Sequence, residues 1–507
     1  MDDSLISQDI VISDSQAENN LYSPIAKLYA ELLGEIFVLA KTSTKSYSGK
    51  PSWLNVAGVC QAWREVALDT PRLWNRFDVS HIKHLEWAST ILGRSGGLPL
   101  MIECTRPLNL KYLDILKTVV SHISRMRELD IYAQPDTLLS LFTSQPSTSP
   151  LSQLRSLSLT QSKGGEDSEP DRSQLWLQRV FEMAMPTLQT LKLVEVVLPL
   201  DIPAFPHLRR LEIATASIKV TTILSFLRNA PYLEELILIV HPFTGESVGT
   251  TSPTTIDLPN LKWLSLASTR FDTSVLFQYI HYHPSTRIQI NMTKPFTPWL
   301  PQPNQTMQSF AGLVSHFASS DEATQIDSLF FLNNPAHGLH LKASTGDVAS
   351  LDIRCDSVSP PDIGPTFGLL SILPQSNIRS FRISGLSRIG REAWMNLFRQ
   401  QDHLQELEAE MVKEELVQML LKSSEDEPTV LPELKRLAFR RCLFVDLVEY
   451  LKTFLKERKA LGVSLDELKI SKSGILPEEV LELRAHVRVD WDGLTYNDPY
   501  EDDPRSP

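Results

Sequence analysis

From about residue 111 to 489 the apolar positions recur in a six-residue core, apolar-x-x-apolar-x-apolar. Copies occupy 126–131, 154–159, 188–193, 208–213, 233–238 and 261–266, then, after a gap, 348–353, 378–383, 404–409, 434–439 and 465–470. The alternation at the end of each core predicts a short strand with one buried face. Helical patterns lie between the cores, at 175–185, 222–228, 274–281, 391–399 and 445–456. Pro186, Pro206, Pro231, Pro259 and Pro432 stand two residues before five of the copies. There the ring ends a preceding helix and re-aims the chain into a strand. Cores follow one another mostly at intervals of 20 to 34 residues. One strand and one helix cannot bury their apolar faces alone, whereas stacked neighbours can, so the pattern predicts an α/β array of strand–helix units. The period breaks at 292–334, where Pro-rich KPFTPWLPQPNQT precedes a helical SFAGLVSHFAS, which reads as a long loop or irregular insertion.

Ahead of the array, residues 23–77 read as two helices closed by a Thr-Pro-Arg-Leu-Trp unit. In the first helix Leu32, Leu33, Ile36, Phe37 and Leu39 cover well over one face. A module of this size has one core to offer, so the apolar excess points to a partner. In the second, Val56, Val59, Cys60, Trp63, Val66 and Ala67 recur as one stripe. Thr70 is placed to cap, and Pro71 to start, a turn that returns Leu73 and Trp74 to that stripe. Residues 41–52 between the helices are polar and read as a loop. Beyond the module come a strand-like FDVS, a helix near 82–92, a turn at Gly96-Gly97 and a short strand at 100–103.

The alternation within each core also selects a surface. The residue between the last two apolar positions faces away from the buried side. Those residues are Ser158, Lys192, Glu212, Ile237, Ser265, Asp352, Arg382, Glu408, Ala438 and Lys469. Their mixed charge and size argue against a polyanion ligand and for a protein substrate, with Lys192, Glu212, Ile237, Asp352, Arg382, Glu408 and Lys469 as candidate binding residues.

Composition narrows the class. The 507 residues are 42% hydrophobic and 22% charged, as in globular proteins, and hold no apolar run of membrane-spanning length. The net charge is −12, of which residues 1–20 carry −5 and residues 490–507 carry −5. The body is nearly neutral, the two acidic ends read as disordered tails, and no basic field suits nucleic acid or a membrane surface. The start MDDSLISQD has neither a basic region nor an apolar stretch, so it does not read as a secretory signal. Four cysteines without a CxxC pair fit a reducing compartment, cytoplasm or nucleus. No constellation for catalysis is visible: His281 and His283 lack a third ligand, Gly164-Gly165 lacks phosphate-loop spacing, and no G-x-S-x-G elbow occurs. Glu406, Glu408 and Glu410 read as a solvated strand face. The expectation is a protein that is no enzyme, with no cofactor and no metal.

Residues 23–77 resemble an F-box, and more narrowly the variety found in large families of mushroom-forming (basidiomycete) fungi. The resemblance rests on Leu28, Glu31, Leu32, Leu33, Glu35, Ile36 and Phe37, then Val59, Cys60, Trp63, Arg64, Ala67 and Leu68, then Thr70, Pro71, Leu73 and Trp74. The family's proline after the first leucine is Tyr29 here. The cadence of the array resembles leucine-rich repeats, degenerate because the Asn or Cys usual after the strand is mostly missing. The resemblance implies an F-box-like helical domain (21–80), a linker region (81–110) and a curved leucine-rich-repeat solenoid (111–489), flanked by the tails 1–20 and 490–507. It further implies a Skp-family adaptor as partner, and through it a cullin. Leu28, Leu32, Leu33, Ile36, Phe37, Val59, Trp63 and Trp74 would be the adaptor-binding residues. On that reading the chain is the substrate receptor of an SCF-type ubiquitin ligase. The alternative is a non-catalytic scaffold whose F-box-like helices no longer bind an adaptor.

Overall fold

The structure is a computed structural model. It describes residues 24–43, 52–143 and most of 153–494, the longest stretches left out there being 163–176, 241–254, 293–325 and 356–377. The helix expected within 293–325 and most of the one at 175–185 lie outside the described residues. The fold is mixed α/β, a helical region followed by a large strand-rich sheet. The chain divides into two compact units, Met1–Thr215 with Ser225–Leu233, and Ala216–Leu224 with Glu234–Pro507.

The first unit opens with helices α1 (Ala30–Ser43) and α2 (Gln61–Leu68), with a 3-10 turn at Ser52–Gly58 between them and another at Pro71–Leu73 after α2. Strand β1 (Arg76–Asp78), helix α3 (Leu85–Arg94) and strand β2 (Leu100–Glu103) follow. The segment expected as a linker is packed: Ile82, Ala88, Ile91, Leu92, Leu100 and Ile102 are all buried. Gly96 takes φ +56 just past α3, the left-handed conformation that glycine adopts without a steric penalty. Strands β3 (Met126–Ala133), β4 (Ser156–Gln161), β5 (Thr190–Val194) and β6 (Arg210–Thr215) then pair in parallel and in chain order from β1 onward. Beneath the sheet Phe181, Phe205 and Phe226 form a buried trio, with ring centroids 5.2 to 6.1 Å apart.

The second unit holds β7 (Glu235–Val240), β8 (Ile256–Leu258), β9 (Trp263–Ser268), β10 (Ile280–Tyr282), β11 (Arg287–Met292), β12 (Ser328–Asn334), β13 (Gly338–Thr345) and β14 (Val348–Cys355). It ends with β15 (Ser380–Ser384), β16 (Glu406–Glu410), β17 (Arg436–Arg440), β18 (Glu467–Ser471) and β19 (Arg488–Trp491). The spatial order is β7-β9-β11-β14-β13-β12-β15-β16-β17-β18-β19. Every pairing in it is parallel except those of β13, which is antiparallel to both β12 and β14. Past residues 293–325 of the sequence break, which lie outside the described residues, the chain forms an antiparallel meander whose three strands enter the sheet in reverse order. This keeps β14 parallel to β11, and β12 parallel to β15. Buried Phe331 on β12 meets Trp394 of the Arg391–Phe398 helix at 6.5 Å between ring centroids, so the apolar side of the sheet is covered by helix.

Three expectations change. The helix expected at 274–281 is replaced at its end by β10, which pairs with β8, because Ile280 and Tyr282 alternate into the interior around exposed His281. The array has a further strand, β11, which the core pattern misses. Its first core position is Ser285, and buried Thr286 donates its hydroxyl to the Leu261 carbonyl at 2.6 Å. The C-terminal tail begins later than expected, since Asp490 and Trp491 belong to β19.

Two main-chain features repeat from unit to unit. Where each strand begins, the residue after the first core position donates to its counterpart one strand back. In the first unit Arg155 bonds Arg127 O (2.9 Å) and Arg209 bonds Gln189 O (2.8 Å). In the second, Gln405 bonds Arg379 O, Lys435 bonds Gln405 O and Asp466 bonds Lys435 O at 2.8 to 2.9 Å. Past the strands, Glu195, Met411, Arg441 and Lys472 take φ between 47 and 56, each two residues beyond its last core position. This left-handed turn costs a non-glycine residue roughly 1–2 kcal/mol. It lets Glu195, Met411 and Arg441 donate to Ala214 O, Arg440 O and Ser471 O on the next strand at 2.7 to 3.0 Å.

Candidate functional site

Helix α1 is apolar on two sides, and the structure divides them. Leu33 and Phe37, one turn apart, point inward at 5% and 1% exposure, and the Phe37 ring lies 5.0 Å from that of Trp63. Gly34 lets the helix approach the next turn closely: a Cβ there would lie 2.9 Å from the Thr70 hydroxyl. That hydroxyl donates back to Val66 O at 2.6 Å and does not cap the Pro71–Leu73 turn, contrary to expectation. Trp74 is buried, donates Nε1–H to Ala67 O at 2.9 Å and carries the Arg94 guanidinium over its ring. Lys41, near the end of α1, donates to Leu73 O and Arg76 O at 2.5 Å each, and burial with the neighbouring Arg76 charge lowers its pKa to about 8.

On the outer side the residues at three- and four-residue spacing are Tyr29, Leu32, Ile36 and Leu39, exposed by 77, 52, 43 and 65%. Leu28 and Val59 are exposed as well. Glu35 sits beside this stripe and pairs with Arg72, both about half exposed. Of the eight residues expected to bind an adaptor, Leu28, Leu32, Ile36 and Val59 lie on the surface, and Trp63 is partly buried. Leu33, Phe37 and Trp74 are corrected to core positions, because the module spends one side of α1 on its own interior.

The candidate substrate residues fall into register rows on the open face of the sheet. In the first unit Asp130, Ser158, Lys192 and Glu212 are consecutive, and Lys192 pairs with Glu212 at 2.8 Å. Crowding by burial, Glu103 and Asp78 raises the Asp130 pKa, with Ser158 and Lys192 opposing. In the second unit one row crosses eleven strands: Ile237, Ser265, Gln289, Asp352, Lys342, Phe330, Arg382, Glu408, Ala438, Lys469 and Asp490. Five sequence candidates therefore share one line. The meander adds Lys342 and Phe330 to it, which the six-residue core could not reveal. Period-two alternation in GLHLKAST is the signal that would have found Lys342, while the apolar run Leu329–Leu332 in SLFFLNN carries no alternation.

Along this face the charges pair across strands. Asp352 accepts from His340 Nε2 (3.0 Å) and both ends of the Arg354 guanidinium (3.0 and 2.9 Å). Arg382 reaches Glu408 (3.5 Å) and Glu410 (2.8 Å) and lies over the Phe330 ring. Arg436 pairs with Glu406. The glutamate run at 406–410 is thus an ion-pair ladder, with Glu410 only 9% exposed, and not the solvated face expected. A cavity of about 280 Å³ opens in this ladder over Ala438.

Among the described residues no group of three metal-ligating side chains occurs, and no helix there is long and apolar enough to cross a membrane. His281 and His283 flank Tyr282, and His283 Nδ1 lies 2.7 Å from the Ser285 hydroxyl. Cys104 and Cys442 are buried, which pushes both thiols up, Cys442 to about 12.

Compared with known families, the helical region gives a clear result. Residues 30–80 match the F-box-like family. The match spans α1 to the turn after β1 and includes both sides of α1. No curated protein matches the chain. Among solved structures, the crystal structure of the Rad7 and Elc1 complex in yeast aligns over 96% of this chain and 97% of that chain. Its identity is 13% and its TM-score 0.27, a likeness too slight to carry an argument about fold or function.

Proposed function

We propose that the chain is the substrate-recognition subunit of an SCF-type, cullin–RING ubiquitin ligase. The observation that carries this is the outer stripe of the F-box-like domain, Leu28, Tyr29, Leu32, Ile36 and Leu39, left exposed while Leu33 and Phe37 fill the core. A Skp-family adaptor takes that stripe into a groove, each buried leucine or isoleucine contributing about 1.5–3 kcal/mol before association costs. Glu35 and Arg72 lie at the rim, where an exposed pair adds little. Tyr29 stands where the family has proline, and its ring adds to the stripe.

The strand–helix units act as a degenerate leucine-rich-repeat scaffold. The recurring ladder bonds and left-handed turns support this, since one local geometry returns at each unit. The open face holds the substrate through the row from Ile237 to Lys469. The receptor performs no chemistry; it raises the effective concentration of substrate beside the ligase. Work belongs in the reducing cytoplasm or nucleus. The test is co-expression of the full chain with a Skp-family adaptor and a cullin, followed by size-exclusion chromatography. The three should elute together. A folded chain that elutes alone leaves the non-catalytic scaffold instead.

A further inference from the structure

Strand β19 ends the sheet of the second unit, and its two sides are unequally engaged. On the inner side it pairs with β18, from Glu467↔Arg488 to Ile470↔Trp491, and the Asp492 N–H continues that ladder to Ile470 O at 3.4 Å. Main-chain groups of successive strand residues point to alternate sides. Arg488 and Asp490 share the side of Asp492, so Val489 and Trp491 turn their N–H and C=O groups outward. Among the described residues no strand pairs with β19 there. Such an edge is a template for another strand, and proteins blunt it with proline, a bulge, a cover or charge. At the start of the first unit a cover is present, Lys41 donating to Arg76 O on β1 at 2.5 Å. On β19, Arg-Val-Asp-Trp, the device is charge, and the two charges have opposite sign.

That makes the strand complementary to itself. Arg488 and Asp490 flank Val489 on the open face, their side chains 80% and 56% exposed, and their ion pairs with Glu467 and Lys469 are loose, at 3.9 and 3.8 Å. Laid antiparallel on a second copy about a two-fold axis at Val489, the strand sets each Arg488 opposite the Asp490 of the other copy. Val489 meets its own counterpart and exchanges two main-chain hydrogen bonds with it. Arg488 and Asp490 then form the closer, non-hydrogen-bonded kind of pair, with Cα atoms about 4.5 Å apart. Moving the axis to Arg488 or Asp490 sets like charge against like, so charge selects the register. Behind the strand, the Pro477–Arg484 helix buries Val480 and Leu483 and holds Lys452 of the Leu447–Ala460 helix through Glu482 at 2.8 Å. Leu481, about 100° round from Glu482, stands on the flank turned away from that helix and is 63% exposed.

We propose that β19 is a dimerisation strand, pairing with β19 of a second copy of this chain to continue the sheet across a two-fold axis. The contact is isologous: it occupies both edges at once and closes at two copies. Residues 495–507 are the nearest other segment, but Pro499 and Pro504 offer no N–H to a ladder. Their acidic side chains, Asp498, Glu501, Asp502 and Asp503, also match Arg488 and not Asp490. Dimerisation through β19 uses none of the residues assigned to adaptor or substrate, so it holds or fails apart from the receptor reading.

Sedimentation velocity on the full chain, from about 1 to 100 μM, tests it. Few positions pair, so association falls in the micromolar range, and wild type should pass from monomer to dimer as concentration rises. Arg488→Asp and Asp490→Arg each put like charges opposite one another, at exposed positions that the fold does not depend on. Each should weaken self-association at least about tenfold. Mixed in equal amounts, the two variants should dimerise again, because every carboxylate of one then faces a guanidinium of the other. Three results would overturn the proposal. They are a wild type still monomeric at about 100 μM, as when residues 495–507 cover the edge, a single variant that self-associates as tightly as wild type, or a mixture no more associated than its components.

Discussion

Arg458 shows how one residue fixes the geometry around it. It is 2% exposed and has no carboxylate partner among the described residues; its guanidinium donates to the carbonyls of Val463, Val430, Pro432 and Leu434 at 3.0 to 3.3 Å. Burial lowers its pKa to about 10. Those carbonyls belong to the turns around a helix end and the start of β17, so one fork holds a helix to a strand. Arg458→Met keeps the volume and leaves acceptors unpaired, and should cost about 2–4 kcal/mol in urea unfolding. Asp352 acts through charge. Burial raises its pKa, but hydrogen bonds from His340 and Arg354 outweigh this and hold it at about 2, against 3.8 unperturbed. Its contribution is therefore present above pH 3.8 and lost as pH falls towards 2. Urea midpoints taken between pH 5 and pH 2 should fall, and Asp352→Asn should flatten that dependence. Neither residue's role was legible beforehand. A lone arginine in a helix and an aspartate in a strand are ordinary in sequence, and only the three-dimensional neighbours make them otherwise.

At the scale of elements, much could be read from periodicity. Strand β2 falls at the expected Leu100–Glu103, and all eleven cores carry a strand running alongside a strand of like direction in register. The reason is that alternation of period two and helical spacing are set locally by which face is buried. What was hidden depended on pairing. The core that leads into β11 opens on Ser285 and Thr286, ahead of the strand, so its apolar signature is short of one position. The meander β12–β14 reverses strand order, and no local pattern records order. The 274–281 segment has spacing compatible with a helix, yet β8 offers a strand partner and Tyr282 is buried by taking it. For α1, the sequence showed too many apolar residues for one face; which of them turned inward required the position of Trp63 and Thr70.

For the whole molecule, the account joins an F-box-like domain with an exposed apolar stripe to a sheet whose open face is laid out in rows. The measurement that tests it most directly is calorimetric titration of a Skp-family adaptor into the full chain. Leu32→Asp, Ile36→Asp serves as the comparison, both substitutions being on the exposed side of α1 and away from the core. The account predicts saturable binding by the wild type and loss of at least about a hundredfold in affinity in the variant, two carboxylates being forced into an apolar groove. A wild-type chain that is folded and does not bind, or a variant that binds as tightly as wild type, would contradict it.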